Sequence, residues 1–163
     1  MRSSGRWASP WDGNRREMRL NGGSVEIRVR YAETDQMGLA HHSHYLVWCE
    51  LGRTALMRHA GVPYSGLEKE GILLPVTRAE VEYRAGVGYD ERVRVETRVT
   101  DVRSRRVVFA YEVRRAADGE LLARVRTDLV CTDREGRPRR LPGAARSKLQ
   151  EACAGGKETD AGR

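Results

Sequence analysis

The ionisable side chains best suited to chemistry lie close together, between Asp35 and Glu50. Asp35 stands in the run T-D-Q-M-G, and His41, His42 and His44 follow it. A carboxylate can act as a general base or as a nucleophile, and grouped histidines suggest a set of metal ligands. On residue types alone Asp35 is more typical of an ordinary turn, because Asp and Gly are common in loops.

The spacing of the three histidines argues against a metal site. Residues one and two positions apart do not face each other on a helix, and the sequence contains no H-x-x-x-H pair. A polar helix start is the simpler interpretation, and we predict no metal.

A long helix must follow these residues. The pattern predicts it over residues 44–60, with Ser43 as the N-cap and Gly61 as a left-handed residue after its end. Leu46 and Val47 lie outside the main apolar stripe, which predicts that the first half of the helix is buried nearly all round. The stripe itself recurs every three or four positions and contains Tyr45, Trp48, Cys49, Gly52, Ala55, Leu56 and His59. Gly52, in mid-helix, predicts the close approach of a strand.

Five segments with alternating apolar and polar residues predict strands, one before the helix and four after it. The first runs from Val25 to Tyr31 and the second from about Leu74 to Tyr83. The remaining three are separated by turns, of which Asp118-Gly119 is the strongest hairpin signal. The alternation leaves one sheet face solvated, so the sequence predicts an antiparallel α+β domain. Cystatin-like and helix-grip folds are the alternatives.

The domain is expected to span residues 23–142. Residues 1–22 contain Trp7 and Trp11 without periodicity and predict a disordered tail. Residues 143–163 predict a flexible C-terminal tail that is frayed or forms a weak helix.

Composition excludes several functional classes. The net charge of +7 is uneven, with +3 in residues 1–24, +3 in residues 25–142 and +1 in residues 143–163. It is not concentrated on one helix or stripe, which argues against specific nucleic-acid binding. The three cysteines form no C-x-x-C pair, which favours a reducing compartment over a disulfide framework or a zinc site. The sequence shows no signal peptide and no apolar run of membrane-spanning length, so we expect a cytoplasmic protein without a membrane partner.

The run D-x-x-G-x-x-x-H-x-x-Y-L-x-W-x-E, from Asp35 to Glu50, resembles the hotdog-fold acyl-CoA thioesterases of the 4-hydroxybenzoyl-CoA thioesterase type. The resemblance covers roughly residues 25–141. It departs at His44, where that family usually has Asn. The resemblance implies the hotdog fold, a five-stranded antiparallel sheet wrapped around one long central helix.

The same resemblance implies roles for individual residues. Asp35 matches the catalytic carboxylate, which attacks the thioester carbonyl or deprotonates a water molecule. The position of His42 is that of the backbone N–H that polarises the carbonyl, and Gly38 allows the carboxylate loop to approach the helix. Glu50 matches the catalytic position of a related branch. It is expected to be a supporting polar residue here, or an ordinary helix glutamate paired with Arg53 or Arg58.

The turn between the third and fourth strands carries Arg103, Arg105 and Arg106. Alone, a basic turn is typical of a solvated sheet edge. By the resemblance, Arg103 and Arg105 match positions that contact the phosphates of coenzyme A, with Arg106 beside them.

The expected function is hydrolysis of an acyl-CoA to a free acid and coenzyme A, without a metal or redox cofactor. The alternatives are a thioesterase acting on acyl-carrier-protein thioesters, a non-catalytic acyl-CoA-binding module, and a basic protein that touches nucleic acid through its tails. By the resemblance, a homodimer or homotetramer is expected, with edge-to-edge sheets and pockets between subunits.

Overall fold

The computed structural model describes residues 23–155. The predictions for residues 1–22, including those for Trp7 and Trp11, lie outside the described residues. The elements in chain order are β1 Ser24–Arg28, a 3-10 turn Tyr31–Glu33, α1 His44–His59, α2 Tyr64–Lys69, β2 Val76–Tyr83, β3 Arg92–Val102, β4 Arg106–Arg115, β5 Leu121–Val130 and α3 Gly143–Gly155.

The five strands form one antiparallel sheet in the order β1-β3-β4-β5-β2. Helix α1 packs against β1, β3, β4 and β5. Alternate strand residues point toward it, so that Val95, Phe109 and Leu129 are fully buried together with Trp48 of the helix. The predicted α+β fold, with a five-stranded antiparallel sheet and one long central helix, is confirmed.

The other sheet face is polar, as the alternation predicts. Ion pairs cross from strand to strand, with Glu26 and Arg94 3.3 Å apart between β1 and β3. On the next pair of strands Glu96 lies 3.7 Å from Arg114. Opposite charges on neighbouring strands stabilise the sheet modestly, and at the centre of this face Val108 and Glu112 of β4 are buried.

Both ends of α1 were predicted closely. Gly61 has φ +77°, and the N–H of Val62 donates to the carbonyl of Met57 at 2.8 Å, which is the hydrogen bond of a Schellman cap. Ser43 occupies the N-cap position, but its hydroxyl makes no capping bond and lies 2.9 Å from Nδ1 of His41. The polar helix start is therefore organised partly by side chains that precede it.

Two predictions about burial are wrong. Leu46 and Val47 remain 38% and 48% exposed, because the sheet covers only one side of α1 and nothing in the described chain covers the other. Residues 143–155 are a helix, α3, that packs against β3 and buries Leu149 completely, and so they are not a flexible tail. The sequence shows no clear apolar period for α3, because few of its residues are buried, mainly Ala145 and Leu149, one turn apart.

Candidate active site

Asp35 lies in a tight loop that folds back on itself, which we call the carboxylate loop (residues 33–41). The N–H of Asp35 donates to the carbonyl of Leu39 at 2.9 Å, and the N–H of Gly38 donates to the carbonyl of Asp35 at 3.0 Å. Gly38 has φ +77°, a conformation that L side chains rarely adopt, so glycine allows this turn to close. Gly38 was predicted to allow a close approach of this loop to the helix, but a Cβ added there would meet nothing within 4 Å, so the positive φ and not crowding requires glycine.

The carboxylate of Asp35 is half-buried and only lightly engaged. Its Oδ1 accepts one hydrogen bond, from the N–H of Met37 at 2.8 Å, as in an Asx turn. Within residues 23–155 its Oδ2 has no hydrogen-bond partner. One oxygen therefore orients the group, and the other is available to a water molecule or a carbonyl carbon.

The loop leads directly into the start of α1. The N–H of His41 donates to the carbonyl of Glu33 at 2.8 Å, and the N–H of His44 donates to the carbonyl of His41 at 3.0 Å. Between them, the N–H of His42 meets no acceptor in the described part of the chain. A free N–H beside a helix N-terminus is suited to stabilise a developing oxyanion.

Tyr83, at the end of β2, fixes the peptide that follows this N–H. Its hydroxyl donates to the carbonyl of His42 at 2.7 Å. Its ring packs edge-on against Tyr45 of α1, with 5.1 Å between ring centroids. The imidazole of His42 is exposed and lies against the ring of His41, with 4.0 Å between ring centroids, while the carbonyl of His42 is held by Tyr83.

A second loop supports the carboxylate loop from outside; we call it the brace loop (residues 86–91). The N–H of Ala40 donates to the carbonyl of Val87 at 2.8 Å. Glu91 holds the brace loop by accepting from the N–H of Gly88 at 2.6 Å and from Arg115 Nε at 3.0 Å. Asp35 is thus carried by two mutually bonded loops at one end of the sheet.

Glu33 is a site residue that the sequence analysis missed. Its side chain is 4% exposed, and its carboxylate accepts from the N–H of Arg30 at 2.8 Å and from the indole N–H of Trp48 at 3.3 Å. Burial raises the pKa of this carboxyl, but the hydrogen bonds from Arg30 and Trp48 outweigh burial and hold the pKa below its ordinary value. The acidic residue three positions after Arg30 is the available signal, because that spacing is typical of a capping box.

Glu50 lies on the exposed side of α1 and makes no ion pair within residues 23–155. Arg53, one turn further on, points inward instead. Its guanidinium is buried and donates to the hydroxyls of Tyr64 and Tyr111 at 2.8 and 3.2 Å. Burial lowers the pKa of Arg53, but the two phenols outweigh burial and raise it. The alternative in which Glu50 pairs with Arg53 therefore does not describe this helix.

The arginine turn is at the other end of the sheet. The brace loop leads into the first residue of β3, and Arg103 follows the last, eleven residues further on. At about 3.3 Å per residue this is about 36 Å along the strand. Arg103 pairs with Asp101 at 3.1 Å, Arg106 pairs with Asp128, and Arg105 is exposed. One chain therefore does not bring these arginines beside Asp35.

No group of three or more His, Cys, Asp or Glu side chains in residues 23–155 is arranged to hold a metal ion. None of the helices in that part of the chain is long and apolar enough to cross a membrane.

Known proteins share both the fold and the sequence. The family model described as the Thioesterase-like superfamily matches residues 29–152. A Bacillus subtilis (strain 168) protein named "Putative acyl-CoA thioesterase YneP" is 43% identical over 110 residues, which are 68% of this chain and 79% of that protein. An Escherichia coli O6:H1 protein named "Acyl-CoA thioester hydrolase YbgC" is 31% identical over 117 residues, or 71% of this chain and 87% of that protein.

Among solved structures, the DHNA-CoA thioesterase from Staphylococcus aureus matches with a TM-score of 0.75 and 35% identity, covering 82% of this chain and 94% of that one. The sheet, the central helix and the carboxylate loop at its start define a hotdog-fold thioesterase. The chain belongs to the Thioesterase-like superfamily, and the predicted resemblance is confirmed.

Proposed function

We propose that this chain hydrolyses acyl-CoA thioesters, with Asp35 as the catalytic carboxylate and the N–H of His42 as oxyanion donor. The observation that carries the proposal is the pair of backbone hydrogen bonds that joins the two arms of the carboxylate loop. The N–H of His41 donates to the carbonyl of Glu33, and the N–H of Asp35 donates to the carbonyl of Leu39. These two backbone hydrogen bonds lie about 7 Å apart along the extended arms of the loop. The unpartnered carboxylate oxygen and the free N–H are therefore held at the same end of the fold.

The reaction follows from these two groups. In one route Asp35 removes a proton from water, the hydroxide attacks the carbonyl carbon, the C–S bond breaks, and the proton passes to the departing thiolate. In the other, a carboxylate oxygen of Asp35 attacks the carbonyl carbon and releases the thiolate, and water then hydrolyses the mixed anhydride. In both routes the carbonyl oxygen becomes negative, and the His42 N–H stabilises it. Neither route uses a metal or redox cofactor.

A second copy of the chain supplies what one chain lacks. Strand β2 is an edge of the sheet, so its outer side is free to pair with β2 of another copy. Antiparallel pairing places the start of the partner's β2 beside Tyr83, which bonds to His42. It also brings the opposite end of the partner's sheet, with its β3–β4 turn, toward this carboxylate loop.

The arginines fit such an arrangement. Only β5 separates β4 from β2, so the partner's arginine turn would lie about 10 Å laterally from the paired edge. Arg105 has no ion-pair partner within residues 23–155 and is free to meet a phosphate. We therefore assign coenzyme A contacts to Arg103 and Arg105 of the second copy, and a supporting charge to Arg106.

A substrate screen tests the proposed activity. Aromatic and aliphatic acyl-CoAs and matching acyl-carrier-protein thioesters are offered to the protein, and thiol release is recorded. At least one acyl-CoA should be hydrolysed with kcat/KM above roughly 10⁴ M⁻¹s⁻¹. Turnover of the carrier-protein thioesters alone would favour the biosynthetic alternative, and turnover of none would contradict a thioesterase.

Mixing two variants tests the shared site. Asp35→Asn abolishes catalysis, and the double variant Arg103→Ala with Arg105→Ala weakens coenzyme A binding. When the two are mixed and allowed to exchange subunits, mixed dimers contain one site with Asp35 from one copy and both arginines from the other. Turnover with the parent KM should return. A mixture that only adds the two separate activities, or an active monomer in sedimentation, would contradict the shared site.

A further inference from the structure

Glu33 is a buried carboxylate whose side chain makes no hydrogen bond to Asp35 or to the N–H of His42. Three hydrogen bonds reach its side chain, from the N–H and Nη2 of Arg30 at 2.8 and 3.2 Å and from Nε1 of Trp48 at 3.3 Å. Nδ1 of His44, the first residue of α1, lies 4.0 Å from its Oε1. The side chain therefore ties the turn before the carboxylate loop to the first and second turns of the central helix.

The backbone of Glu33 makes the matching connection on the other side. Its carbonyl accepts from the N–H of His41 at 2.8 Å, and its own N–H donates to the carbonyl of Arg30 at 3.0 Å. Asp35 is two residues after Glu33, and His42 is the residue after His41. Glu33 is thus hydrogen-bonded to Arg30, which precedes Asp35 in the chain, and to His41, which follows it.

We propose that Glu33 is a positioning residue, which sets the separation and orientation of the Asp35 carboxylate relative to the His42 N–H. This inference rests on the proposed thioester hydrolysis. The Glu33 carbonyl accepts from the N–H of His41, and the next N–H, that of His42, is the free donor. The Glu33 carboxylate accepts from Trp48 and so fixes the distance between the carboxylate loop and α1. Reacting groups must be held within about 0.5 Å of their productive geometry. A small shift of Glu33 should therefore misplace Asp35 relative to the His42 N–H and lower kcat.

A carboxylate is required at this position because every group within hydrogen-bond distance of it is a donor. Two acceptor oxygens serve the Arg30 N–H, the Arg30 guanidinium and the Trp48 indole. An amide of the same shape has one oxygen and one NH₂, so Gln would turn a donor toward one of these donors. Glu33→Gln therefore breaks one side of the tie while it preserves volume.

Asp133 provides a matched control. It is also a buried carboxylate in a turn, 7% exposed, and accepts from the N–H groups of Glu135 and Arg137 at 3.0 and 2.9 Å. It lies beyond the end of β5, on the side of the arginine turn and away from Asp35. Asp133→Asn therefore perturbs a similar network away from Asp35 and His42. Because that side of the fold also carries the arginine turn, this control is judged by kcat and not by KM.

The experiment measures kcat, KM and Tm for Glu33→Gln, Trp48→Phe and Asp133→Asn, at a temperature where all are folded. Glu33→Gln should lower kcat by about 10- to 100-fold, with KM changed less than about threefold. Trp48→Phe removes the indole donor together with part of a fully buried ring, so it should lower Tm, and it should lower kcat less than Glu33→Gln, in the same direction. Asp133→Asn should lower Tm and leave kcat unchanged.

Parent-like kcat in Glu33→Gln would overturn the proposal, and so would an equal loss of kcat in Asp133→Asn. If Glu33→Gln does not fold, Trp48→Phe decides, and parent-like kcat there overturns the proposal. Asp35→Asn in the same series distinguishes failure of the Glu33 proposal from failure of the proposed thioester hydrolysis at Asp35. If Asp35→Asn is inactive while Glu33→Gln behaves like the parent, only the role of Glu33 is wrong. If Asp35→Asn keeps parent activity, the proposed catalytic assignment is wrong.

Discussion

Gly52 determines how closely β3 approaches the central helix, and Gly52→Ala perturbs that contact directly. A Cβ built on Gly52 would lie 3.0 Å from Cγ1 of Val95 and still closer to Oγ1 of Thr97. Both neighbours are fully buried side chains with little room to move. Overpacking of this kind costs about 1–3 kcal/mol, whereas Gly→Ala in a helix gains at most about 1 kcal/mol. The clash therefore wins, and we expect a net loss of about 1–2 kcal/mol.

Thermal and urea unfolding measure this loss, which corresponds to a Tm decrease of about 3–8 °C for a domain of this size. Gly66→Ala is the matched control, because Gly66 is also helical but a Cβ there meets only Pro63 Cγ at 3.7 Å. That variant should be neutral or slightly stabilising.

A double variant locates the cause. The hydroxyl of Thr97 has no hydrogen-bond partner in the described part of the chain, so Thr97→Ala removes the obstructing atom without orphaning another group. The cost of Gly52→Ala should fall by about 1 kcal/mol or more in that background, as a double-mutant cycle would show. An unchanged cost, or a stabilised Gly52→Ala protein, would refute the close packing of α1 on β3.

Three further predictions follow from α3, Glu33 and the arginine turn. Leu149→Ala should lower the unfolding free energy by about 2–5 kcal/mol because it leaves a cavity where α3 packs on β3, and deletion of residues 144–163 should destabilise at least as much. A Tm equal to that of the parent protein in calorimetry would contradict a docked α3. Because the pKa of Glu33 is lower in the folded chain than its ordinary value of 4.5, its ionised form contributes stability above that pH, and this is lost as pH falls through the folded pKa. Below pH 4.5, the unfolding free energy of Glu33→Gln, measured by urea titration, should therefore fall less steeply with decreasing pH than that of the parent. Identical slopes of unfolding free energy against pH would contradict the lowered pKa. Replacing Arg103 and Arg105 together with Ala should raise KM for acyl-CoA several-fold, since exposed charge contacts contribute about 0–1 kcal/mol each, and should leave hydrolysis of an acyl-pantetheine unchanged; equal losses on both substrates would show that the arginines do not bind the nucleotide.

The sequence predicted the secondary structure well where one face of an element is buried. Alternation placed β3 and β4, and the three-to-four spacing placed α1, because these elements bury one face against a common core. The wrapping of the sheet around the helix came only from the family resemblance, since periodicity does not say which strands are neighbours. Helix α3 was missed because burial of essentially Leu149 and Ala145 leaves too weak a periodic signal.

The candidate site was predicted in part, for a different reason. Asp35, Gly38 and His42 are close in sequence, so a local motif can identify them. The function of Glu33 depends on Trp48, which reaches it only after the chain has folded, and no local pattern reports that contact. Likewise, the distance between Asp35 and Arg105 is set by the length of β3 and by assembly.

The central claim is that Asp35, and not Glu50, carries the chemistry. Steady-state kinetics of Asp35→Asn and Glu50→Gln on the best acyl-CoA substrate test this most directly. Asp35→Asn should lower kcat by at least about 100-fold with KM nearly unchanged, because it removes an acid–base or nucleophilic group and no binding contact. Glu50→Gln should stay within about threefold of the parent, since its side chain is exposed on the outer side of α1. An active Asp35→Asn protein beside an inactive Glu50→Gln protein would contradict the assignment.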